Sequence, residues 1–180
     1  RRVLFRSAMG WMSFDANNLD NTNTVKLTES RLGPYSQRAY RIYKCPADGY
    51  TAKIGNKELP RVRSVSMNGF LEGGAYNTAH GGSVWYPQFY RYDKMGDIRL
   101  PDPTRMWVIM DEHPDSVNDA WMMSVINDGK SFGDLPASYH NGACGLGFAD
   151  GHAEVHKWLE AYTRQPVKKA FSHPNWQGDR

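Results

Sequence analysis

The sequence predicts an α+β head: a small antiparallel β-sheet with long loops, one short capped helix and a C-terminal β-hairpin. Three observations predict it. Short runs with strand chemistry recur at residues 41–45, 62–68 and 105–110, each next to Pro, Gly or Asp turn residues. An Asp-Gly pair, Asp150-Gly151, lies between two alternating runs at about 143–158. Helix signals are confined to one stretch, where Thr28 can cap residues 29–32 and Gly33-Pro34 ends them.

The chain has 180 residues, enough for one domain with a real core. Residues 1–7 resemble the translation of a common sequencing adapter and stand outside the fold, which leaves a single head at 8–180. Lys and Arg number 22 against 19 Asp and Glu, a net of +3. Leaving out Arg1, Arg2 and Arg6 brings the balance to 19 against 19. The sequence pI of 8.8 is then no argument for nucleic acid, and no basic run carries interleaved aromatics. The mean hydropathy is −0.67, and no apolar run approaches the ~18 residues of a membrane-spanning helix.

The elements follow in order. Residues 9–24 are rich in Asn, Asp and Thr, which favour Asx-turns, with Trp11 and Phe14 expected to anchor the loop. Residues 41–45 read as a strand stopped by Pro46, and Ala47-Asp48-Gly49 as a turn. Residues 62–68 alternate, Val65 and Met67 against Ser64 and Ser66, as a half-buried strand does. A long Gly- and Tyr-rich excursion follows at 68–97. Its aromatics Tyr76, Trp85, Tyr86, Phe89, Tyr90 and Tyr92 argue against disorder. Residues 105–110 form the most apolar run and read as a central strand, which Asp111-Glu112 closes at a surface. Residues from Pro166 onward are expected to wrap the body.

For the hairpin, a two-residue type I′ turn at Asp150-Gly151 sets the register. Phe148 then faces Ala153, Gly147 faces Glu154, and Leu146 faces Val155. Leu146, Phe148, Ala153 and Val155 share the core face, so Phe148 and Val155 are expected to be buried and Gly151 to have positive φ. His152, Glu154 and His156 take the other face. A one-residue slip would bury these charges, which specifies the register.

Five stretches, in order, carry a resemblance. They are Tyr43-Lys44-Cys45-Pro46-Ala47-Asp48; Arg61-Val62-Arg63-Ser64-Val65-Ser66-Met67-Asn68; Asp111-Glu112 followed by Ser116-Val117-Asn118-Asp119; Pro136-Ala137-Ser138-Tyr139-His140; and His140, nine residues, then Asp150-Gly151. Together they resemble a large bacterial family of pilin-like proteins with an N-terminal prepilin cleavage/methylation segment, similar to the type II secretion major pseudopilins. The resemblance implies a pilin-like head on a long N-terminal helix that is missing here, upstream of a truncated reading frame. It implies inner-membrane anchoring, a periplasmic or cell-surface head, and homo- or hetero-pilin partners in a filament. One sheet face of the isolated head would then lack its partner and expose apolar surface.

Candidate sites remain. Asp111, Glu112, Asp115, Asn118 and Asp119 concentrate hard oxygen donors after a strand. The pseudopilins that the chain resembles bind calcium in a C-terminal loop, and these residues suit that ion chemically. The alternative is an Asx-turn in which Asp115 or Asn118 caps backbone N–H groups. Zinc could draw on His140, His152 and His156, with Glu154 between the last two. Yet neighbours on one strand face lie roughly 6.8 Å apart, too far to converge without a residue from elsewhere. The aromatics at 76–92 could form a subunit interface, stack on sugars or pack on the sheet. Cys45 and Cys144 could pair or stay as separate semi-buried thiols. No nucleophile elbow, zincin helix or phosphate loop appears, so the expectation is a non-catalytic structural subunit. The rival is an extracytoplasmic metal-dependent hydrolase or carbohydrate-binding module using the histidine face or the aromatic loop.

Overall fold

The computed structural model describes residues 8–71, 92, 94–123, 131–170 and 176–177. Among them the fold is mixed and mostly β, with few helices. A two-stranded sheet pairs β1 (Thr51–Ile54) with β2 (Lys57–Pro60). The main sheet has five strands: β3 (Val65–Asn68), β4 (Trp107–Asp111), β5 (Trp121–Met122), β7 (Ala143–Phe148) and β8 (Ala153–Lys157). Their order is β5-β3-β4-β7-β8, so the apolar run does form the central strand, as expected. The sheet is antiparallel except that β5 runs parallel to β3. A further pair joins β6 (Ser131–Phe132) to β9 (Trp176–Gln177). Among the described residues, no helix is long and apolar enough to cross a membrane.

Three sequence expectations shift. The helix α1 covers Val25–Thr28, not 29–32. Burial decides this: Leu27 is buried, whereas Leu32 is exposed. Gly33 does not stop a helix but opens a 3₁₀ turn, and a Cβ there would fall 2.1 Å from the Thr28 carbonyl oxygen. Residues 41–45 are not a strand. Tyr40–Tyr43 form a 3₁₀ turn that buries Tyr43 and leaves Ile42 exposed. Of the two expected ring anchors of the first loop, Trp11 is 54% exposed, whereas Phe14 is half-buried with Arg61 4.5 Å over its ring. Asn18 and Asn21 also hold that loop, through bonds to Trp11 O, Ser13 O and the Ser13 hydroxyl.

The hairpin keeps its turn but not its register. Gly151 has φ 95°, and its N–H donates to Phe148 O at 3.0 Å. The Phe148 N–H donates to His152 O at 2.9 Å. The loop therefore has three residues, a type I turn closed by a left-handed glycine, and the strands slide by one. Leu146 faces Glu154 and Gly145 faces Val155. Asp150 supports this turn by accepting from His152 N at 3.2 Å and meeting its Nδ1 at 2.6 Å. The Phe148 and His152 rings stack at 4.3 Å. Phe148 is only half-buried, and Val155 is 69% exposed, not buried. Since β8 is an edge strand exposed throughout, burial never selected its register; the turn did.

The two sheet faces differ. Cross-strand pairing sets Ser66, Met110, Leu146 and Glu154 in one row. Here Met110, Met122, Cys144 and Leu146 join Ala137 and Trp158 in the main core. The row on the opposite face is Trp121, Met67, Ile109, Gly147 and Ala153. Its near end meets a second cluster of Ala8, Leu27, Tyr43 and Ala120 through Val65. Its far end is poorly covered. Ile109 is 43% exposed although it sits on the central strand, and Met67 and Trp121 are half-buried.

Candidate functional site

The acidic segment after β4 turns inward. Glu112 N donates to Ser64 O at 2.8 Å, His113 N to Leu135 O at 2.7 Å, and Ala137 N to Asp111 O at 2.8 Å. The segment is thus laced between β3's approach and residues 135–137, so its carboxylates are buried. The expected closure of the strand at a surface is wrong: Asp111 is 6% and Glu112 0% exposed.

Each side chain has its own internal partner. Glu112 accepts from the hydroxyls of Ser66 and, at 3.0 Å, Ser116. Arg63 donates to the Ser66 hydroxyl at 2.8 Å and to Asn118 O at 2.8 Å. Burial, and then the nearby Asp134 charge, push the Glu112 carboxyl up against the pull of Arg63. Burial raises Asp134 as well. Asp115 accepts from Lys168 N at 2.7 Å, which ties the C-terminal segment across the loop. Asp115 N donates to His113 Nδ1 at 3.2 Å, leaving Nε2–H for Gln165 O at 2.9 Å. His113 is therefore neutral, and burial lowers its pKa. Asn118 accepts from Asp119 N, and Asp119 from Trp121 N at 3.1 Å. This is turn capping. Among the described residues, no three of these carboxylates converge.

Arg61 is a residue whose role the sequence did not reveal. It is fully buried, donates to Pro114 O at 2.9 Å, and lies 4.5 Å over the Phe14 ring and 3.9 Å from Asp48. Two arginines at alternate positions before a strand were the available signal.

The group that does converge is Cys45, Asp111 and His140, whose ligand atoms lie within 4.8 Å of one another. Cys45 follows the 3₁₀ turn and is held by its N–H on the Ser64 hydroxyl at 2.7 Å. Asp111 ends β4, and its Oδ2 accepts from Gly145 N at 3.0 Å. His140 sits in the turn before β7, where Asn141 and Gly142 have positive φ. Its Nε2 is 3.1 Å from Cys45 Sγ and 3.2 Å from Asp111 Oδ2. A Cys-His-Asp relay needs the thiol and the carboxylate on opposite ring nitrogens. Here both meet Nε2. Burial also raises the Cys45 thiol, the wrong direction for a nucleophile at neutral pH.

The expected histidine set stays apart. His152 pairs with Asp150 at the turn, and His156 Nδ1 lies 3.4 Å from Glu154 on the edge strand; both histidines are exposed. His140 joins neither of them. Tyr92 donates to Leu100 O; Tyr76, Trp85, Tyr86, Phe89 and Tyr90 lie outside the described residues. Cys45 and Cys144 form no disulfide, and Cys144 belongs to the main core. Compared with family models, curated proteins and solved structures, the chain matches none.

Proposed function

We propose that the chain is the head of a pilin-like structural subunit of a type II secretion or type IV pilus-like filament. It is non-catalytic and works by assembly. In this reading an N-terminal helix anchors it in the inner membrane, the head lies in the periplasm or at the cell surface, and its partners are other pilin subunits. The observation that carries the reading is the thinly covered sheet face. Met67, Ile109, Trp121 and Val155 offer an apolar strip there, Ile109 and Val155 being exposed and Met67 and Trp121 half-buried. The inward-turned acidic segment adds support, because Glu112 and Asp115 are buried and each accepts an internal hydrogen bond, from the Ser116 hydroxyl and from Lys168 N.

A photocrosslinking residue at Ile109 in the membrane-anchored protein tests this. The expected product joins Ile109 to the N-terminal helix or to a second subunit. A control at Tyr35, which is 88% exposed, gives none. Release of the protein as a monomer with no Ile109 product overturns the reading.

The hydrolase reading has one observation in its favour, the convergence of Cys45, Asp111 and His140. The shared nitrogen and the raised thiol weigh against turnover. We expect no metal-dependent activity on an ester, peptide and glycoside panel. Turnover that His140→Ala abolishes would establish the rival.

A further inference from the structure

Three ligand atoms reach one point from three distant parts of the chain. Cys45 and His140 are 95 residues apart in sequence, and Asp111 and His140 are 29 apart. As a hydrogen-bonded trio they are poorly matched. A single ring nitrogen carries either one proton or one lone pair. It cannot accept from the Cys45 thiol and donate to the Asp111 carboxylate at once. The Nε2–H can at most be shared between the Asp111 carboxylate and the weak sulfur acceptor, whereas a cation lets all three atoms present lone pairs to it.

We propose that Cys45 Sγ, Asp111 Oδ2 and His140 Nε2 bind a zinc ion, with water in the fourth position. The geometry fits. Tetrahedral zinc with bonds of about 2.0–2.3 Å sets its ligand atoms roughly 3.3–3.6 Å apart. The two separations from Nε2, 3.1 and 3.2 Å, need only a small opening to admit the ion, and Sγ and the carboxylate oxygen lie within 4.8 Å of each other. The charge fits as well: one thiolate and one carboxylate neutralise a divalent cation beside a buried strand end. A soft sulfur with an imidazole selects zinc over calcium, which needs six to eight oxygens. The supports around the ligands are in place. Gly145 N holds Asp111 Oδ2, and a Cβ at Gly145 would fall 3.0 Å from that oxygen. Ser64 fixes the Cys45 backbone. The entry path is the half-open side, where the His140 side chain is 31% exposed. Bound there, zinc would tie the 3₁₀ turn, the central strand and the turn before β7 together, and so stabilise the fold. The inference does not rest on the pilin-like reading.

The test uses the whole chain, stripped with EDTA and titrated separately with Zn²⁺, Co²⁺ and Ca²⁺. Zinc should bind with unit stoichiometry and raise the melting temperature. Cobalt should show a thiolate-to-metal charge-transfer band. That band is measured on the unmodified protein, so the test stands even if a variant fails to fold. Cys45→Ser should abolish it, and His140→Gln should abolish tight zinc binding. Gly145→Ala, which crowds the Asp111 carboxylate, should weaken zinc roughly 10- to 100-fold. Cys144→Ser and the double variant His152→Ala/His156→Ala should bind as the parent does. A cobalt complex without the band overturns the proposal. So does binding lost in the His152→Ala/His156→Ala variant, or stabilisation by calcium alone, which would point to the 111–119 segment. None of these outcomes affects the crosslink at Ile109.

Discussion

Glu112 shows how far a single residue can depart from its usual chemistry. It has no exposed surface, and burial lifts its carboxyl to about 8, with Asp134 lifted to about 7. Both folded values lie above the unfolded ones, so the native state holds more protons than the unfolded chain across this window. The stability they contribute is full below their unfolded pKa and is lost as pH rises through the folded values. His113 has the opposite sign. Its lowered pKa costs stability only as pH falls below the ordinary histidine value, about 6.5. The clean window is therefore pH 6.5 to 8, by the same reference values. There we expect thermal stability to fall with rising pH, by at most about 1.4 kcal/mol per pH unit for each proton. Glu112→Gln should flatten the slope, and an unchanged slope would refute the assignment. The sequence offered capping by Asp115 or Asn118 as the alternative to calcium; Asn118 does cap Asp119 N, while Asp115 accepts from the distant Lys168 N. The sequence hid their burial, because no apolar alternation announces that residues 135–137 pair across Glu112. Cys45 and His140 were equally hidden, since 95 residues separate them.

At the scale of the element, the hairpin separates turn chemistry from burial. Leu146→Ala should cost about 2–4 kcal/mol, because its side chain fills the main core. Val155→Ala, on the exposed edge strand, should stay within about 0.5 kcal/mol. Gly151→Val should cost about 1–2 kcal/mol through strain at φ 95°. Chemical denaturation of the three variants checks all of this, and a large Val155 effect would restore the two-residue register. The turn's position and the glycine's φ were legible. The register was not, because an Asp-Gly pair serves two-residue and three-residue loops alike. The hairpin β1–β2 went unread although Gly55-Asn56 marks its turn. β2 is mostly exposed, so it lacks the alternation that marks a half-buried strand.

For the whole molecule, the mixed α and β content was legible from the short strand runs, the Asp-Gly hairpin and the single helix signal, and the central place of β4 from one apolar run. The parallel pairing of β5 with β3 was not, since β5 is too short to carry a pattern. The central strand is also asymmetric: Met110 is 4% exposed and its neighbour Ile109 43%. Met110→Ala should cost about 2–5 kcal/mol. Ile109→Ser should cost far less, yet should reduce hydrophobic-dye binding and self-association of the isolated head. Equal costs in denaturation would mean that the exposed face is covered after all.

The strand order has a consequence for how the chain reaches this state. β7 and β8 join across three residues, and such hairpins form in about 1–10 μs. β3 must wait for β4, about forty residues later, and closing such long loops slows folding. At synthesis rates of about 5–20 residues per second, β3 leaves the ribosome a few seconds before its first strand partner exists. For that interval the strand, with Met67 at its centre, has no sheet neighbour to pair with, and its open edge is a template for pairing with another chain.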